Sequence, residues 1–299
     1  MGAGDITAGE MRVLVAVARE GSFSAAAASL GLTQSAVSHT MRGIERKLGA
    51  VLFRRGRTGA EPTSAGSTAV SHARRILRLL ETMRAETRAA SAGELSATVR
   101  LAALRGVAYH LLPGVLSRFG QRWPRVSVEV SVVREDAPGV AGEVLSGRAD
   151  LGVATLFPAQ DGLVARELFA DPYVLAYPAG HPDPRSLPMI HWEEATSPET
   201  RRWCAAQSWL SASDLRVQDD TVVLSMIAHG MGAAVVPRMT LAGAPPNVAV
   251  QPLEDPPVRR IGYVTTREMG RSLVLRELVA ELRAQSREIS AGSGDAGGA

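Results

Sequence analysis

Apolar residues recur at helical spacing from the start of the chain. Met11, Leu14, Val15 and Ala18 fall at i, i+3, i+4 and i+7, one face of a helix. Thr7 stands where an N-cap is needed, and Glu10 three residues on completes a capping box. Gly21 ends this helix, as a left-handed C-cap favours glycine. A short second helix fits Ser24–Leu30, capped by Ser24 and ended by Gly31. A third follows Thr33. Its buried stripe is Val37, Met41, Ile44 and Leu48, while Ser35, Ser38, His39, Arg42 and Arg46 share the opposite side and Gln34 lies toward the flank. The apolar triplet Val51–Phe53 then leads into Arg54, Arg55, Gly56 and Arg57, a basic segment that predicts a hairpin.

Thr63 is placed to cap a long helix running to about residue 91. Ala69, Ala73, Ile76, Leu80 and Met83 follow the alternating spacing of a coiled-coil seam. An apolar stripe alone would suit a core helix packed within one subunit, but this one joins two domains and has no other partner in the chain, which favours dimerisation through it. Beyond residue 94, Val99, Leu101 and Ala103 open a strand, and Leu112, Leu116 and Phe119 mark an amphipathic helix with Pro113 near its middle or at a kink. Val126, Val128, Val130 and Val132 alternate as in a strand with one buried face. A helix at Val140–Ser146 and a strand at Asp150–Ala154 follow. The pattern restarts with strands at Val164–Phe169 and Tyr173–Tyr177, a helix at Thr221–His229 and a strand at Ala233–Val236. Arg260–Thr265 reads as a strand returning to the first half, and Leu273, Leu275, Leu278 and Leu282 mark a long last helix.

This alternation predicts an α/β body with parallel strands, in two lobes joined by crossing strands, as in a periplasmic-binding-protein fold. The fold class is therefore α+β multidomain: a helical head over 1–62 that fits either a winged helix-turn-helix or a small helical bundle, a linker helix over 63–92 and a ligand-binding body over 93–288. Within the body, lobe 1 covers about 93–162 and 267–288, and lobe 2 covers 163–266. A disordered tail is expected over 289–299.

Charge sharpens this division. Residues 1–92 carry thirteen basic and seven acidic side chains, a balance of +6, and the remainder has a balance of −3. A basic head on a mildly acidic body points to a polyanionic partner. With 299 residues and 45% hydrophobic content the chain has material for two or three cores. The single Cys204 excludes an internal disulfide and a cysteine-rich metal cluster, and its default reading is a buried, inert thiol. No apolar run is long enough to span a bilayer, and no basic patch leads into an apolar run near Met1, so a cytoplasmic protein is expected. No nucleophile elbow, zinc-protease motif, phosphate loop or dinucleotide fingerprint occurs, which leaves no enzyme class indicated.

Periodicity alone leaves the head open to two readings, a small helical bundle with a solvated polar face or a helix-turn-helix. Particular runs decide between them. Leu14–Ala27 reads Leu-Val-Ala-Val-Ala-Arg-Glu-Gly-Ser-Phe-Ser-Ala-Ala-Ala, followed by Leu32–Ser38, Ile44-Glu45, Leu48-Gly49, Leu52-Phe53-x-Arg55 and Thr63-x-Ala65-Gly66 without a gap. Residues 6–66 thereby resemble the N-terminal domain of the LysR-type transcriptional regulators of bacteria. Looser matches extend the resemblance through the body, at Gly147-x-x-Asp150-Leu-Gly152, His181-Pro182 and Gly230-x-Gly232-x-x-x-x-Pro237. Ser35 stands where proline is common in the family, and Thr58 and Glu61 stand where the wing is often basic.

The resemblance implies that Thr33, Gln34, Ser35, Ser38, His39 and Arg42 face double-stranded DNA, with Ser22 and the wing residues Arg54, Arg55 and Arg57 in support. It implies a homodimer or homotetramer on a pseudo-palindromic promoter site, beside the nucleoid and within reach of RNA polymerase, with no membrane partner. It also implies a cleft for a small-molecule effector, lined by Leu104, Arg105, Gly106, Val107, Thr155, Asp219, Asp220 and Thr221. No cofactor and no metal are expected. Many family members carry serine or threonine near position 105. Arg105 here either pairs with an anionic effector or faces solvent.

Overall fold

A computed structural model describes residues 5–56, 59–92, 94–134, 138–156, 161–192, 198–210, 215–217 and 219–292. The head contains α1 (Ala8–Glu20), α2 (Phe23–Leu30), α3 (Gln34–Leu48) and a wing of two antiparallel strands, β1 (Phe53–Gly56) and β2 (Gly59–Pro62). The Thr7–Glu10 capping box forms as expected, and Lys47 of α3 reaches the same Glu10 carboxylate at 2.8 Å. α2 begins one residue earlier than expected. Ser22, not Ser24, is its cap, which brings Phe23 into the helix and edge-on to Phe53 of the wing. In α3, Val37, Met41 and Ile44 are fully buried, but Leu48 is 44% exposed because the helix ends there, beyond the core. Glu45, one of few acids in the basic stretch, accepts the Leu52 backbone N–H at 2.8 Å and so fixes where the wing departs.

α4 (Ser64–Ala92) starts from a junction that explains the spacing Thr63-x-Ala65-Gly66. The Thr63 hydroxyl accepts from the Gly66 N–H at 3.0 Å and donates to the Val51 carbonyl at 2.8 Å. At Gly66 a Cβ would lie 2.0 Å from the Leu52 carbonyl oxygen, so no side chain fits. Gly66→Ala is expected to cost about 1–3 kcal/mol of head stability, seen as a lower melting temperature of the helical circular dichroism. An unchanged melt would refute the close-approach argument.

The seam on α4 divides. Ala69 and Ala73 turn into the head's own core beside Val70, which corrects the expectation that they line a dimer contact. Ile76, Leu79 and Met83 stay exposed, at 41%, 38% and 57%, with Leu80 half-buried beside them. The reason is geometric: the head's core takes in Ala69, Val70 and Ala73 on the first turns of α4 and does not extend to Ile76, Leu79 or Met83.

The body runs β3 (Ala97–Ala103), α5 (Arg105–His110), α6 (Leu112–Arg122), β4 (Val126–Val132), α7 (Gly139–Leu145), β5 (Leu151–Thr155), β6 (Leu163–Pro178), β7 (His191–Trp192), α8 (Pro198–Ala206), β8 (Arg216–Val217), α9 (Asp220–Ala228), β9 (Ala234–Pro237), β10 (Val248–Pro252), β11 (Val258–Thr266) and α10 (Leu273–Gly292). Pro113 sits in the first turn of α6, where it breaks the expected single helix into α5 and α6. The sheet order is β10-β6-β11-β5-β3-β4, with β9 also paired to β6. Within this sheet β3–β4 and β3–β5 are parallel, while β11 and β6 run antiparallel to their neighbours, so the sheet is mixed rather than parallel as expected.

The two strands expected at 164–169 and 173–177 are one strand of 16 residues. Its first part pairs with β11 up to Pro172, and its last part pairs with β9 and β10 from Tyr173 onward. Phe169, Ile261 and Val264 accordingly belong to the first lobe's core, and Val174 and Ala176 to the second's. The lobe limits expected at 163 and 266 therefore move inward, to about 173 and 257. A buried pair holds this crossing: Asp171 accepts from Arg259 and from the Met239 backbone N–H, each at 2.8 Å. Along β4, Val126 is buried while Val130 and Val132 are 40% and 59% exposed, because β4 is the edge strand. The last helix continues to Gly292, past the residue 288 expected for its end; residues 293–299 lie outside those described.

The second half of α4 lies against the first lobe. Arg78 donates from Nε to Asp150 Oδ1 at 2.9 Å and makes a second bond to Oδ2, while its other groups meet Glu81 and the Thr98 carbonyl. Asp150 also accepts the Arg100 backbone N–H at 2.8 Å, and Glu86 accepts the Leu273 N–H at 2.7 Å.

Candidate functional site

Thr33 caps α3 by accepting from the Ala36 N–H at 3.2 Å, and its hydroxyl lies 3.0 Å from that of Ser35. Thr33, Gln34, Ser35, His39 and Arg42 are all exposed on one side of the helix, with Arg46 a turn further on. Ser38 does not join them. It is only 7% exposed and accepts a hydrogen bond from the Gln34 amide at 3.1 Å. The position lies between Gln34 one turn before it and the flank of the buried stripe at Met41, close enough for Gln34 to cover it. Ser22 caps α2. Of the wing cations, Arg54 is exposed on β1; Arg55 contributes its backbone to β1, and the Arg55 side chain and all of Arg57 lie outside the described residues. The wing is anchored where the Ala60 N–H donates to the Gly21 carbonyl at 2.7 Å.

The effector-cleft residues separate more sharply. Leu104 and Val107 are buried at 2% and 0% in the first lobe's core, and Gly106 is buried with them, so what these three offer a cleft is backbone at the start of α5 rather than side chains. The β3–α5 turn points them inward and Arg105 outward. Arg105 does not face solvent alone: it forms an ion pair with Asp219 of the opposite lobe. Asp219 caps α9, accepting from the Thr221 N–H at 3.0 Å and from its hydroxyl. The Thr221 hydroxyl holds the Asp219 carboxyl below the usual carboxylate range; Arg105 adds to this and burial opposes it. Asp220 opens α9, but its side chain lies outside the described residues. Thr155 ends β5 half-buried, its hydroxyl oxygen buried without a hydrogen-bond partner among the described residues.

Thr221 also lines a cavity of about 550 Å³ between the end of α5, the length of α9 and the loop before β10. Tyr109, His110, Leu224, Ser225 and Thr240 share its wall. Local pattern could not reveal this cavity, since its walls come from segments more than a hundred residues apart. Leu79, missed as a member of the exposed face of α4, was legible: it lies three residues after Ile76 and four before Met83. Cys204 is half-buried, and burial pushes its thiol pKa up, away from the reactive thiolate.

The family model described as "Bacterial regulatory helix-turn-helix protein, lysR family" matches residues 9–67, and that described as "LysR substrate binding domain" matches residues 92–287. The chain belongs to the LysR family. It is a DNA-binding transcriptional regulator with an effector-binding domain. Among LysR regulators, the probable regulator LrrA of Synechococcus elongatus is 34% identical over 264 residues, covering 85% of this chain and 88% of LrrA. ShiR of Corynebacterium glutamicum is 28% identical over 285 residues, covering 90% and 95%. A full-length OxyR variant from Pseudomonas aeruginosa shares the fold with a TM-score of 0.71 at 20% identity, covering 93% of this chain and 98% of that one. The LysR regulator CbnR, solved with its target DNA, gives 0.63 at 22% identity, covering 94% and 100%. Among the described residues no helix of this LysR protein is long and apolar enough to cross a membrane.

Proposed function

We propose that the protein acts as a homodimer, or as a homotetramer of two such dimers, on a pseudo-palindromic promoter site, with α3 in the major groove and the wing on the adjoining backbone. The observation that carries this is the exposed face of Ser35, His39 and Arg42 across α3 from a fully buried stripe, with Thr33 and Gln34 exposed at the start of the same helix. Short hydroxyls at the start of a helix permit close approach, an amide can match an adenine edge, and an arginine further on reaches a guanine or a phosphate. Ser38 serves by orienting Gln34. Arg54, Arg55 and Arg57 supply phosphate contacts. Two copies associate through Ile76, Leu79 and Met83, spacing two recognition helices over two half-sites. Binding of a small effector between the lobes, at Arg105, Thr155, Asp219 and Thr221, adjusts promoter binding or the contact with RNA polymerase. The role is regulatory rather than catalytic, without cofactor, in the cytoplasm beside the nucleoid.

Footprinting on the DNA upstream of the protein's own gene, at two salt concentrations, tests this. A protected pseudo-palindrome that weakens with salt is the expected result; absence of enrichment even from random genomic fragments would end the reading. Met83→Asp is expected to shift the protein toward monomer in sedimentation and to lose footprint occupancy at limiting concentration. An unchanged assembly would move the dimer contact elsewhere.

A further inference from the structure

Arg105 and Asp219 are 114 residues apart in sequence and meet from opposite lobes. Their side chains remain 44% and 36% exposed, so the pair lies at a rim that a solute can reach. Its chemistry selects among solutes. A simple anion that takes Arg105 must leave the Asp219 carboxylate without its cation, and a simple cation that takes Asp219 strands Arg105. Either exchange swaps one ion pair for another with little gain. A molecule that carries both charges on neighbouring atoms satisfies both partners at once, its carboxylate on the guanidinium fork and its ammonium on Asp219.

The rest of such a molecule has a place to go. Thr221 donates its hydroxyl to Asp219 and also lines the cavity of about 550 Å³ that extends along α9. The wall contains Tyr109, His110, Leu224, Ser225 and Thr240, with no aspartate, glutamate, lysine or arginine among its residues. A cationic tail would be desolvated there without a counter-ion and an anionic one would meet only the imidazoles of His110 and His229, whereas an uncharged one meets apolar surface and hydroxyls.

We infer that the effector is an α-amino acid with an uncharged side chain, its zwitterionic head inserted between Arg105 and Asp219 and its side chain directed past Thr221. This rests on reading the cleft as the effector site. The test is calorimetric titration of the full chain with the uncharged proteinogenic L-amino acids, each beside the amine and the acid that lack one of its two charges. At least one amino acid is expected to bind saturably at one per chain, with affinity falling about tenfold or more in both single-charge analogues, and in Arg105→Gln and Asp219→Asn alike. Unfolding midpoints of both variants, read by tryptophan fluorescence, establish that they are folded. Binding of no amino acid, equal binding of an acid analogue, or full affinity in Asp219→Asn would each overturn the inference. Footprinting of the same preparation separates the failures: a protected operator without amino-acid binding removes this inference alone, whereas an equally tight acid analogue keeps the effector cleft and changes its ligand.

Discussion

Replacing Arg78 by methionine is expected to destabilise the body by about 3–5 kcal/mol, the effect of leaving one member of a buried ion pair without the other. The side chains of Arg78 and Asp150 are 9% and 2% exposed, so the abandoned carboxylate has almost no route to water. Burial already raises the Asp150 pKa, and the bonds from Arg78 oppose it. Without them burial acts unopposed, the carboxyl keeps its proton to higher pH than in the unfolded chain, and the body becomes less stable as pH rises through that raised pKa. Adding Asp150→Asn is expected to recover most of the loss: it removes the charge yet keeps an oxygen for the Arg100 N–H. All four tryptophans, Trp123, Trp192, Trp203 and Trp209, lie in the body, so their fluorescence during urea unfolding reports that unit without the head. A midpoint shift worth less than about 1 kcal/mol in Arg78→Met would show that solvent reaches the pair and screens it.

The second large effect is on DNA. Arg42→Glu is expected to lower operator affinity about a hundredfold or more, near 3 kcal/mol, because it removes a cation from the exposed face of α3 and puts an anion against phosphates. The slope of log affinity against log salt should fall by about one contact. Arg276→Glu makes the same change of charge on the exposed side of α10, in the body. If both variants lose affinity equally, the protein's net charge rather than its α3 face governs binding. If only Arg42→Glu does, the interface is local to the head.

What could be read from the sequence follows the range of each interaction. The buried stripe of α3, the Thr7–Glu10 cap and the Thr63 junction are set by residues within a few turns, and local spacing displays them. Ser38 marks the resolution of that method: one helical step from the stripe, its side depends on whether Gln34 lies over it, and periodicity does not record that. Leu104 and Val107 carried a family expectation of lining a cleft, but they are apolar residues following a buried strand, and the core claims them. β6 reads as two strands because its pattern shifts at Asp171-Pro172, where its partners change from β11 to β9 and β10 while the backbone continues. The Arg78–Asp150 and Arg105–Asp219 pairs join positions 72 and 114 residues apart, and no window of sequence contains both members.

The order of strands also bears on how the chain is made. The head's core closes with Val70 and Ala73, so this unit is complete soon after it leaves a ribosome. The first lobe is not. Its sheet lacks the strand between β5 and β6 until Thr266 has been synthesised, and its core lacks Leu275, Leu278 and Leu282 until the last helix follows. The second lobe, one continuous segment, can fold while the first is still open. A nascent chain stalled before Val258 would thus present a finished DNA-binding head tethered to a body with apolar strands uncovered, a species for chaperones to hold until β11 and α10 arrive.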